Sequence, residues 1–115
     1  HNLFPTIGAL NQARSNFAMG LVPGEPRRFG SCDFEVVDGT VEPRPDARGE
    51  IARAYLYMDA TYPGHNIVTE QTRAMFKRWS REDPPDPWEQ RRNVLISRIQ
   101  GNTNRFIRCC CCPRA

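Results

Sequence analysis

A chain of 115 residues is long enough for one domain with a single core, and 39% hydrophobic with 25% charged residues excludes a disordered composition. No stretch reaches the ~20 apolar residues that a membrane-spanning helix needs. The net charge of +3 is small but uneven in make-up, since Lys77 is the one lysine among 16 basic residues and the rest are arginines. Arginine's planar fork suits phosphates and stacks on bases, which favours an anionic partner such as nucleic acid. Solvated arginine faces are the alternative.

In chain order, "HNLFPTIGALNQARSNFAMG" (1–20) begins on a histidine and an asparagine with no residue before them to cap a helix or finish a strand. The next stretch, "LVPGEPRRFG" (21–30), reads as loop because Pro23, Gly24 and Pro26 break any regular element. "CDFEVVDGTVEP" (32–43) carries the β signal. Asp38-Gly39 is a favoured two-residue hairpin turn, Phe34 and Val36 supply the inward side, and Pro43 and Pro45 end the ladder.

Three helices follow. Over 45–62 Asp46 is the expected N-cap, with Ala47, Ile51, Ala54, Tyr55 and Met58 on one apolar face. Over 69–83 Thr69 is the cap, and Met75, Phe76 and Trp79 form the buried side. Over 86–101 Asp86 caps, Pro87 takes the first turn, Glu89 completes a capping box, and Gly101 stops the helix. Trp88, Leu95 and Ile99 mark its expected buried stripe. The chain shows no internal repeat and no long linker, so the expected organisation is one domain or part of one, α+β, mainly helical with one hairpin.

Cysteine usage is unusual: Cys32 stands alone and Cys109, Cys110, Cys111 and Cys112 are contiguous. A contiguous run lacks the spacing of a zinc site. The expectation is that one of the four pairs with Cys32 or with a cysteine outside the chain, leaving residues 108–115 as a Cys-rich tail. His1 and His65 are the only histidines, and no Ser-His-Asp spacing, GxGxxG or P-loop occurs. By internal signals alone, the sequence names no catalytic machine.

Taken together, "HNLFPTIGALNQARSNFAMG", "FGSCDFEV", "VEPRPDARGEIARAYLYM" and "WEQRRNVLISRIQGNTNRF" resemble, in this order, the C-terminal portion of the bacterial endonuclease I family. The resemblance runs from residue 1 to about 107. It implies a periplasmic or secreted monomeric nuclease, not associated with a membrane, that cuts DNA, and in many members RNA, with little sequence preference. Members carry a ββα-metal (His-Me) finger. "HNL" matches the end of its helix and puts Asn2 on the metal-ligating asparagine. The divalent ion implied is Mg²⁺, with Ca²⁺ or Mn²⁺ as alternatives. The Glu-His pair that supplies the general base and a second ligand is expected upstream of His1, as is any secretion signal. No catalytic base therefore falls within these residues, and His1 matches a neighbouring helix position.

For substrate phosphates the resemblance points to Arg14 and Asn16, and to Gln100, Asn102, Asn104 and Arg105. For the second group the structural alternative is a turn built around Gly101. Family members commonly end near a single cysteine and carry a cysteine where Gln90 stands, so disulfide pairing is expected to differ here. Two other functional classes are open: a nucleic-acid-binding or structural remnant without catalysis, and a copper histidine brace formed by His1 and His65.

Overall fold

Local signals decide most element boundaries. The computed structural model describes residues 1–24, 26 and 28–107. The described residues form two compact units, one within Leu3–Pro45 and the other of His1–Asn2 with 46–107.

The smaller unit holds a short helix, α1 (Gly8–Arg14), and three strands, β1 (Ala18–Met19), β2 (Phe34–Val37) and β3 (Thr40–Pro43). The hairpin turn forms where expected, with Asp38 and Gly39 both at positive φ. β2 and β3 pair antiparallel with Val36 opposite Val41, and β1 adds in parallel on the other side of β3. The inward face of β2 differs from expectation. Glu35 is fully buried, while Phe34 and Val36 are only half-buried. Glu42, directly across from Glu35, is buried too, and its carboxylate accepts the Val22 backbone N–H. Residues 1–7 are not helical, so Asn2 does not sit on a helix as the family resemblance implies. Pro5 disfavours helical backbone at Phe4. Neither α1 nor β1 was foreseen: no side chain caps α1, and two residues give β1 no periodicity.

The larger unit is three helices: α2 (Pro45–Thr61), α3 (Glu70–Glu82) and α4 (Pro87–Gln100). α3 behaves as its sequence says. Thr69 and Thr72 cap it reciprocally, each hydroxyl accepting the other's backbone N–H, and Phe76 and Trp79 are buried. Phe76 stacks on Tyr55 of α2 and meets the Trp79 ring edge-on. Each such burial contributes about 1.5–3 kcal/mol.

α2 is rotated from its expected face: Gly49, Ala52, Arg53, Leu56 and Tyr57 are buried along with Ala54, whereas Ala47, Ile51, Tyr55 and Met58 are half-exposed. α4 is inverted. Its cap is as read, Asp86 accepting from Glu89 N–H at 2.7 Å, and Gly101 closes it in the left-handed conformation. However, its buried residues are Glu89 and Asn93, while Trp88 is 55% exposed, Leu95 46% and Ile99 89%. The Glu89 side chain does not return to the cap. It is drawn to Arg53.

That pairing organises the unit's interior. Arg53, 1% exposed, donates Nε and Nη2 to the two oxygens of Glu89, both at 2.6 Å, as a bidentate fork. Its Nη1 donates to the backbone carbonyls of Asp83 at 2.8 Å and Ser80 at 3.2 Å. A buried ion pair is tolerated only when the remaining donors are satisfied in this way. Gly49 permits the close approach. A Cβ there would lie 1.8 Å from the Asp83 carbonyl oxygen, and its N–H donates to the Asp83 carboxylate at 2.9 Å.

Candidate functional site

Backbone alternation at the first two residues sets the site: His1 points in and Asn2 out. The His1 side chain is buried, its Nε2 donating to the Asn102 carbonyl at 2.8 Å. That bond requires a proton on Nε2, and the ring stands edge-on to Tyr57 with centroids 4.9 Å apart. Nδ1 is buried without a partner among the described residues. Burial, and then the Arg92 charge, hold the chain's amino group below its ordinary pKa. Asn2, covalently next to this anchor, is exposed.

The segment after α4 supplies the anchor's other half. Asn102 donates its amide to the Tyr57 hydroxyl at 2.6 Å, and Gln100 donates to the Asn102 amide oxygen at 2.9 Å. Asn104 is 2% exposed, and both ends of its amide are engaged: Nδ2 donates to the Arg53 carbonyl, and Oδ1 accepts from Phe106 N–H. Its own N–H is received by buried Asn93 of α4 at 3.0 Å. Asn104 is therefore a structural amide that ties the segment after α4 to α2 and to α4 itself, through partners outside the turn at Gly101. Arg105 is exposed, its guanidinium over the Phe106 ring.

The structure thus brings Asn2, Gln100, Asn102 and Asn104 into one unit through His1 and Tyr57. Arg14, half-buried in the last turn of α1, and exposed Asn16 belong to the other unit. Tyr57 and Asn93 were missed from sequence. No spacing rule marks a tyrosine hydroxyl whose partners lie more than 40 residues away, or a helical amide that reaches past its helix end to Thr103 and Asn104.

Histidine 65 is exposed in the turn after α2, while the Nε2 of His1 is committed to a carbonyl. Among the described residues Cys32 is half-buried with a free thiol. The four-cysteine run and the tail at 108–115 lie outside the described residues. Gln90 donates to the Pro85 carbonyl at 3.1 Å.

A divalent ion needs several hard oxygen ligands, usually with at least one carboxylate. Among the described residues no three His, Cys, Asp or Glu side chains gather as a metal would require. Asn2 offers one neutral amide oxygen, so these residues do not make a metal site by themselves.

Comparison with known proteins decides the lineage. The endonuclease I family model matches residues 1–111. The chain belongs to the endonuclease I family. It is 44% identical over 110 residues to an extracellular deoxyribonuclease of Aeromonas hydrophila, covering 93% of this chain and 47% of that one. A periplasmic deoxyribonuclease of the same organism is 43% identical over 111 residues, covering 93% and 46%. An extracellular ribonuclease of Bacillus subtilis is 28% identical over 124 residues, covering 93% and 42%. The chain spans about half the length of these endonuclease I relatives. The α+β arrangement of four helices and a three-stranded sheet among the described residues suits a portion of an endonuclease domain.

Proposed function

We propose that these residues form part of a periplasmic or secreted, metal-dependent endonuclease that hydrolyses DNA with little sequence preference, and RNA as well. The family match over 111 residues carries this reading. Relatives named as deoxyribonucleases and, more distantly, as a ribonuclease support the substrate class. Asn2 serves as one ligand to a divalent ion, Mg²⁺ or else Ca²⁺ or Mn²⁺. The carboxylate and imidazole that complete the site belong to the part of an endonuclease I chain that these residues do not span.

The contribution of this chain is positional. His1, pinned by Asn102 and Tyr57, fixes the backbone beside Asn2 and leaves its amide facing outward. A ligand held by locked neighbours loses less freedom on engaging its ion. Arg14, Asn16, Gln100, Asn102 and Arg105 are the groups assigned to substrate phosphates, where contacts position the strand without reading sequence. Asn104, unlike exposed Asn102, is withdrawn from that set by its burial together with its internal hydrogen bonds.

Plasmid nicking with Mg²⁺ tests the reading. The 115 residues alone should nick negligibly. A chimera in which they replace the matching stretch of the Aeromonas hydrophila extracellular deoxyribonuclease should nick readily. An inactive, correctly folded chimera overturns the proposal, and full activity from the short chain overturns the assignment of the missing ligands.

A further inference from the structure

The outward face of α4 has the wrong character for solvent. Trp88, Arg92, Leu95 and Ile99 recur at helical spacing along one stripe, and the Arg92 guanidinium lies 6.0 Å from the centre of the Trp88 ring. Three of the four are large apolar side chains at least 46% exposed. Single exposed hydrophobics need no explanation, but a contiguous stripe on one helix marks a surface built to be covered. The adjoining face of α4, about 100° round the helix, is already occupied, with Glu89 on Arg53 and Asn93 on Thr103 and Asn104. α4 therefore uses its polar face inward and leaves its apolar face for something else.

Two observations identify what covers it. The relatives are about twice as long as the stretch this chain matches, so an endonuclease I chain has as much polypeptide again to place. Since His1 itself is pinned to Asn102, just beyond the end of α4, residue 1 lies beside this helix.

We infer that the Trp88–Leu95–Ile99 face of α4 is the docking surface for the remainder of the endonuclease I fold. The inference rests on the proposed nuclease reading for the identity of the occupant, and on the structure alone for the location of the surface. The occupant is an apolar polypeptide surface, folded against α4 so that Trp88 loses contact with water. Arg91 and Arg98, both exposed, flank the stripe and would lie at its rim.

The test compares the isolated chain with the chimera described above, both labelled with 5-fluorotryptophan, with Trp88 assigned by Trp88→Phe. Its ¹⁹F resonance should show a full solvent-isotope shift in the isolated chain and lose it in the chimera, while buried Trp79 stays protected in both. When the remainder of the relative is supplied as a separate polypeptide, Leu95→Glu/Ile99→Glu should weaken its binding by about ten-fold or more. The same double substitution should leave the melting temperature of the isolated chain unchanged. A Trp88 that remains solvent-exposed in a folded chimera, or binding indifferent to the double substitution, overturns the inference. So does concentration-dependent loss of the isotope shift in the isolated chain, which would give the face to a second copy. None of these readouts uses metal or DNA. A chimera that nicks with Trp88 exposed refutes the docking surface alone, and one that buries Trp88 without nicking refutes the nuclease reading alone.

Discussion

Helices α3 and α4 are neighbours of similar length in the same unit, yet they treat their apolar residues in opposite ways. α3 turns Phe76 and Trp79 into the core, with Trp79 at 1% exposure. α4 turns Glu89 and Asn93 inward and shows Trp88, Leu95 and Ile99 to the outside. The difference teaches that an apolar stripe identifies a surface seeking cover. It does not say whether the cover comes from the same residues. On α4 the inward choice is made by Arg53, whose buried charge demands the Glu89 carboxylate more strongly than the core demands another tryptophan.

The sharpest way to break this comparison is to exchange the consequences of mutation on the two helices. Glu89→Ala strands Arg53 as an uncompensated buried charge and should cost about 3–5 kcal/mol in urea unfolding. Trp79→Ala should cost a similar amount, about 3–5 kcal/mol, by leaving a cavity. Ile99→Ala, on the outward face of α4, should stay within about 0.5 kcal/mol. Equal losses at Trp79 and Ile99 would mean that α4 buries its apolar stripe after all.

Gly49→Ala comes next. Its Cβ collides with the backbone at Asp83, and an overpacked site of this kind loses about 1–3 kcal/mol. Thr69→Ala removes one partner of the reciprocal cap on α3 and should cost about 1 kcal/mol in the same assay.

Glu50 gives the smallest effect and one that depends on pH. Its Oε1 is buried without a partner among the described residues, and burial together with the Glu89 charge raises its pKa. A raised carboxyl pKa means that the folded state holds the proton more tightly, so this contribution is present at low pH and disappears as pH rises through the folded value. Glu50→Gln should therefore raise the melting temperature at pH 7, and the gain should vanish below about pH 4, near the ordinary glutamate value. A gain that grows on acidification would contradict the sign.

What could be read beforehand was whatever is decided within a few residues. The Asp38-Gly39 turn, the Thr69 and Asp86 caps and the Gly101 stop all depend on local φ and on side chains three positions away. What could not be read depends on distant partners. β1 exists because β3 is there to pair with, and the faces of α2 and α4 are set by a fork between Arg53 and Glu89, 36 residues apart. Patterning assigns charge to solvent, so it misplaces a helix whose buried face is ionic. The candidate site divides in the same way. Asn2 is a candidate through family resemblance alone, and its anchorage by His1, Tyr57 and Asn102 joins residues about a hundred positions apart. Asn104, a candidate phosphate contact by resemblance, has its amide engaged inside the fold by a partner 51 residues away, which spacing does not mark.

The most direct measurement of the central assignment is Mg²⁺-dependent plasmid nicking by the chimera carrying Asn2→Ala, compared with the same chimera unchanged. With Asn2 as a metal ligand, nicking should fall by at least about a hundred-fold while the fold and DNA affinity persist. Undiminished nicking by the Asn2→Ala chimera would contradict it.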